Sequence, residues 1–88
     1  MYVYLVEVSM IDNNINPDAM NRMFLEIYDT WEKASAEVDK WKKSYSNKRS
    51  ELITNQDDTF YHCRKVHLID CKKKRDIYIY IHVREVKW

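Results

Sequence analysis

Glycine is missing from all 88 residues, where an average chain of this length would carry about six. Its absence excludes glycine-built phosphate loops. Turns that need positive φ must then fall to asparagine or aspartate, and Asn13, Asn14, Asn16, Asn47 and Asn55 stand where such turns are wanted. Proline occurs once, at Pro17. Cysteine occurs twice, as Cys63 and Cys71, eight residues apart on or beside one predicted strand. That spacing is about 26 Å when extended, and a disulfide needs Cα atoms within about 7 Å, so no bridge within the chain is expected. No apolar run approaches the roughly 20 residues that span a bilayer. The opening MYVYLVEVSM lacks a basic leader and carries Glu7, so it reads as a strand and not as a signal peptide. Reduced thiols without a signal segment point to the cytoplasm.

Eighty-eight residues predict a single domain spanning 1–88. The hydrophobic share of 45% and charged share of 33% are those of a folding chain and not a disordered one. A formal charge of +1 hides an asymmetry. Residues 1–41 hold three Lys or Arg against eight Asp or Glu, net −5, and residues 42–88 hold twelve against six, net +6. Two such halves attract each other once folded, which is the simpler reading. The sharper one is a basic patch that meets an acidic partner.

Residues 2–9 place apolar groups on both sides of an extended chain, as a central strand requires. MIDNNINPD collects turn formers and begins a loop. Residues 21–28 then set Met23, Leu25 and Ile27 on one face against Arg22, Phe24, Glu26 and Tyr28, the pattern of a half-buried strand. In the next segment Asp29 or Thr30 can cap a helix. Trp31, Ala34, Val38, Trp41 and Tyr45 follow at spacings of three and four, one apolar stripe over about four turns. Both tryptophans read as core, with a binding role the lesser reading. Residues 46–58 read as a polar loop with a possible helical extension, residues 59–69 as a third strand and 76–86 as a fourth. The predicted fold is α+β: a ββαββ chain forming a four-stranded, largely antiparallel sheet with one amphipathic helix on one face. The fourth strand, with Ile77, Ile79, Ile81 and Val83 facing inward, belongs in the middle.

The search for chemistry returns little. His62, Cys63, His67 and Cys71 count as a zinc set until geometry is applied. Strand positions four apart lie about 13 Å apart, and neighbours face opposite ways. Pairing residue 70 with 75 would set Leu68 beside Ile77, Val66 beside Ile79 and Cys63 opposite His82, where a histidine could activate the thiol. A half-buried structural thiol is the plainer reading. That register also puts Arg64 on the isoleucine side, which calls for a bulge or an edge position. Asp57, Asp58, Glu7 and Glu26 are not paired by spacing. No cofactor, no metal and no catalysis are expected.

What remains is the other side of the last strand. Alternation sends Tyr78, Tyr80, His82 and Arg84 away from the isoleucines, where Phe24 or Tyr28, Tyr2 or Tyr4, Lys65 and His67 are expected to join them. Tyrosine and arginine offer large contact areas with polar tips and are favoured at interface centres. The plain alternative is that tyrosine is simply a good strand former. Lys72, Lys73, Lys74 and Arg75 form a cationic hairpin tip, and Lys42, Lys43, Lys48 and Arg49 add to the basic half. Such a tip is usually solvated and guards an edge. It can also engage phosphates or an acidic protein groove.

The run IYDTWEKASAEVDKWKK, with Tyr28, Asp29, Thr30, Glu32, Lys33, Ala34 and Val38, resembles a pattern found in many small proteins encoded by bacteriophages and mobile elements. The resemblance covers residues 22–43 and implies a genomic setting. It carries no functional residues with it. Together the two lines predict a non-catalytic interaction protein in the host bacterial cytoplasm that inhibits a host protein or defence complex, as an anti-CRISPR would. Its contact residues would be Tyr78, Tyr80, His82, Arg84, Lys72, Lys73, Lys74 and Arg75. A second copy of the chain is the other protein partner expected. The alternative function is a small nucleic-acid binder using the same aromatic and basic face.

Overall fold

A computed structural model describes residues 1–46, 50–58, 63–71 and 73–87, without the side chains of Asp57, Asp58 and Cys63. Strands β1 (Tyr2–Asp12) and β2 (Met20–Tyr28) precede helix α1 (Trp31–Tyr45). Strands β3 (Ser50–Asp58), β4 (Cys63–Asp70) and β5 (Arg75–Glu85) follow it. All five strands form one antiparallel sheet in the order β2-β1-β5-β4-β3. The α+β class and the single helix match expectation, and the isoleucine-rich last strand lies in the middle. The strand count does not match. Residues 50–58 form an edge strand on β4 in place of the expected polar loop. An edge strand outside the helix's reach needs no buried face, so SELITNQDD shows no alternation to read. Its register slips between Leu52 and Thr54, which leaves Ile53 as the extra residue of a bulge.

The helix starts where Thr30 caps it, its hydroxyl accepting from the Lys33 amide at 3.2 Å. At the other end the Ser46 amide donates to the Lys42 carbonyl at 2.9 Å. Glu32 in the first turn, with Lys42 and Lys43 in the last, complements the helix dipole. The apolar stripe lies across β1, β2, β4 and β5. Val6, Val8, Ala34, Val38, Val66, Leu68, Ile77 and Ile79 are sealed from solvent. Trp31 meets Tyr4 edge-on at 6.1 Å, and Phe24 meets Trp41 at 5.2 Å.

These ring contacts overturn the expected orientation of β2. Phe24 and Tyr28 pair with Val8 and Tyr4 and share their helix-covered face, while Leu25 and Ile27 pair with Glu7 and Leu5 on the other face. Leu25 and Ile27 are 41% and 60% exposed. Aromatic pairs such as Phe24 with Trp41 contribute about 0.5–1.5 kcal/mol beyond their area, and pairing with β1 fixes the parity of the whole strand. A register shift between Val8 and Ser9 turns Met23 toward the helix, where its sulfur accepts from the Tyr45 hydroxyl at 3.9 Å.

The last hairpin has the expected register: Asp70 opposite Arg75, Leu68 opposite Ile77, Val66 opposite Ile79. Arg64 therefore falls on the isoleucine side, opposite Ile81, and is buried. No bulge relieves it. Its guanidinium donates to the Ser35 carbonyl at 2.9 Å and pairs with Asp39 on the helix. A buried charge costs several kcal/mol unless it is paired and bonded in this way. Positive φ also falls at an unexpected residue. Lys74, with φ 53°, takes the left-handed position in the β4–β5 turn, and the Asn13 amide and Asn14 side chain hold that turn by its Lys74 and Lys73 carbonyls, at 3.0 and 2.7 Å.

Candidate functional site

One face of the sheet lies under α1, and no described element covers the other. Antiparallel pairing carries side-chain direction across the sheet, so each strand's contribution to the uncovered face follows from register. From β2 come Leu25 and Ile27, from β1 Leu5, Glu7 and Ser9, from β5 Tyr78, Tyr80 and His82, and from β4 Lys65 and His67. Arg84, opposite Val3, continues the face toward the end of β5. The face is thus aliphatic toward β2 and aromatic toward β4.

The aromatic half is ordered by direct contacts. His67 stacks on Tyr78, with ring centroids 4.2 Å apart and planes 17° from parallel. Tyr78 and Tyr80 follow at 6.0 Å, and Tyr80 meets His82 edge-on at 6.2 Å. A carboxylate anchors each end of the row. Asp76 sits 2.8 Å from His67 Nε2 and also accepts from the Asn13 side-chain amide at 2.7 Å. Glu7 lies 3.7 Å from His82 and 3.2 Å from Arg22. Asn13 and then His67 hold the Asp76 carboxyl below the usual carboxylate range, against burial, which acts to raise it. Burial, and then Asp76 and Tyr80, push the Tyr78 phenol above its ordinary value; burial, and then Glu7, do the same for Tyr80. Both phenols therefore stay neutral at physiological pH and keep a hydroxyl to donate.

Tyr78, Tyr80, His82 and Arg84 come together as expected, with Lys65 and His67 beside them. Tyr4, Phe24 and Tyr28 do not join, because they pack under the helix. Tyr2 has the helix-side parity of its strand and is 55% exposed. The cationic tip is a separate feature, since Arg75 and Arg84 stand nine residues apart on β5, about 30 Å. Lys73 and Lys74 are exposed, whereas Arg75 is tied to the buried Asp12 at 3.2 Å. Lys72, Lys48, Arg49, His62 and the Cys63 side chain lie outside the described residues, and with them the suggested Cys63–His82 pair. Cys71 is exposed, and His67 is engaged by Asp76 and Tyr78.

Sequence reading missed the aliphatic half of the face, Leu5, Leu25 and Ile27, and its central ion pair, Glu7 with Arg22. The signal was present in β1. Its even residues carry the helix side, and Glu7, set on the odd side, marks that side as the wetter one.

No family model, curated protein or solved structure matches this chain. No helix among the described residues is long and apolar enough to cross a membrane.

Proposed function

We propose that the chain is a non-catalytic interaction module that docks another protein on its uncovered sheet face. The observation that carries this reading is that one uncovered face gathers Ile27, Leu25 and Leu5 on one side and Tyr78 and Tyr80 on the other, with Glu7 and His82 set between the two groups. Two of its carboxylates already have partners on the face, Glu7 with Arg22 and Asp76 with His67, while Lys65 and Arg84 stand toward its rim. Apolar groups beside carboxylates that already have partners lose less on drying than bare carboxylates would, as a protein interface requires. The likeness of residues 22–43 to small phage-encoded proteins gives the reading its concrete form, an inhibitor that occupies the surface of a host protein or defence complex.

The nucleic-acid reading draws support from the adjacent rings of Tyr78 and Tyr80, with Lys65 opposite Tyr80. Two carboxylates, Glu7 and Asp76, flank those rings and would face the phosphates, so the protein partner is favoured.

The test is affinity capture from bacterial lysate with the native chain, with a Tyr78→Ser/Tyr80→Ser variant, and with Arg84→Glu as a second variant of the same face, at an exposed position. Loss of one captured protein with either face variant, while melting temperature holds for Arg84→Glu, supports the docking face. Identical captured sets for all three chains overturn it. A salt titration against single-stranded and duplex oligonucleotides separates the second reading, which requires affinity to fall steeply with salt.

A further inference from the structure

One row of the ladder crosses the uncovered face as Leu25, Glu7, Tyr80, Lys65 and Gln56. Neighbouring strands lie about 4.8 Å apart, so Glu7 and Lys65 stand equally far from Tyr80, on opposite sides and with opposite charge. No ion pair joins them. Arg22 takes Oε2 of Glu7 at 3.2 Å, while Oε1 has His82 at 3.7 Å, too long for a hydrogen bond. Lys65 is exposed and enters no ion pair among the described residues. The next row repeats the contrast in size, with the small Ser9 on one side of Tyr78 and the His67 ring on the other.

A two-fold axis laid along β5 brings two such faces together so that each row meets itself reversed. Glu7 of one copy then lies over Lys65 of the other, and the pair occurs twice. Ser9 lies over His67 in the same way, and Tyr80 meets Tyr80 at the centre. An axis across the strands would instead set Glu7 over Glu7 and Lys65 over Lys65. Packed sheets stand about 10 Å apart, a gap that a lysine and a glutamate reaching toward each other can span.

We infer that a second copy of this chain covers the face in the free protein, joined about a two-fold axis along β5 and fixed by reciprocal pairs of Glu7 with Lys65. The inference rests on the reading of this face as a docking surface, and it names what a host partner must displace. The area suffices. Five strands of 8 to 11 residues make a face roughly 24 Å by 30 Å, about 700 Å2, near the 800 Å2 or so per partner of a stable interface. A formal charge of +1 adds little repulsion between copies. An unrelated partner has no need of acid and base set equally about one tyrosine, whereas a two-fold pairing of like chains requires that arrangement.

The test is sedimentation equilibrium of the full chain, of Lys65→Glu, of Glu7→Lys, and of the two variants mixed in equal amounts. The native chain should dimerise, and each variant alone should self-associate about tenfold or more weakly, because like charges then face each other twice. The mixture should recover dimers of native affinity, since one chain presents two lysines to the two glutamates of the other. Recovery also shows that both variants are folded. Lys65→Glu alters an exposed side chain and decides the matter alone if Glu7→Lys loses its fold with the Arg22 pair. A native chain that stays monomeric up to about 500 µM, above the micromolar affinities that weak interfaces of this size still reach, overturns the inference. So does a Lys65→Glu dimer of unchanged affinity, which would place the contact elsewhere, or a mixture of two folded variants that stays monomeric. Capture of a host protein by a monomeric native chain would sink the dimer and leave the docking reading standing; a dimer without capture would do the reverse.

Discussion

His67 and Tyr78 face each other directly across the β4–β5 ladder, ring against ring at 4.2 Å, with Asp76 closing the imidazole's far side at 2.8 Å. The arrangement joins two strands and a loop, because Asp76 is also held by Asn13 from the loop after β1. A carboxylate fixed by two partners makes the sheet sensitive to acid at one identifiable point.

The Asp76 carboxyl is held below its ordinary value in the fold, so its contribution to stability is complete above the unfolded value of about 4. It is lost as pH falls through the lower folded value. Asp76→Asn should flatten the acid limb of a stability-versus-pH curve below about pH 4 and leave the slope above pH 5 unchanged. Chemical denaturation at stepped pH measures this directly.

Arg64 and Asp39 supply a second expectation. Asp39→Ala leaves a guanidinium buried beneath the helix with fewer acceptors and should cost about 1–2 kcal/mol. Arg64→Met removes the buried charge altogether and should change stability by less than about 1 kcal/mol. Urea unfolding of the two variants checks the order; a larger loss in Arg64→Met would show that the pair stabilises beyond compensating its own burial.

Lys74 holds a left-handed backbone with a side chain that does not favour it. Lys74→Asn should be neutral or stabilising by up to about 1 kcal/mol, and Lys74→Val should destabilise by about 1–2 kcal/mol. Thermal melts of the two variants decide it.

The two faces of the sheet predict opposite responses to substitution of one residue type. Ile79→Ala, in the sealed core, should cost about 2–5 kcal/mol. Ile27→Lys, on the uncovered face and 60% exposed, should stay within about 0.5 kcal/mol of the native chain. Equal losses at the two positions would place Ile27 inside, as its own strand's pattern suggests.

That last contrast shows where sequence reading reached and where it stopped. The alternating isoleucines of β5, the helix stripe from Trp31 to Tyr45 and the 70–75 turn register were all legible, because each is a local period with one apolar solution. In β2 both faces carry large apolar groups, so period alone leaves the choice of face open. The helix's aromatic side chains decide it, a tertiary effect. Strand β3 lacks a period because it lacks a buried face. Arg64 defied its polarity because its partners, Ser35 and Asp39, come from 29 and 25 residues away in the chain. The candidate face was legible in its tyrosines and invisible in its leucines for the same reason that β2 was misoriented.

The order β2-β1-β5-β4-β3 places the final strand between the second hairpin and the opening strand. During synthesis, Tyr4, Val6 and Val8 therefore wait on the ribosome for Val83, Ile81 and Ile79, which are made long after them, and until then the helix can cover only half of its eventual floor. Closure of so long a loop favours a slow, concerted final step, so a nascent chain halted before residue 75 should be captured by chaperones while the released chain escapes them.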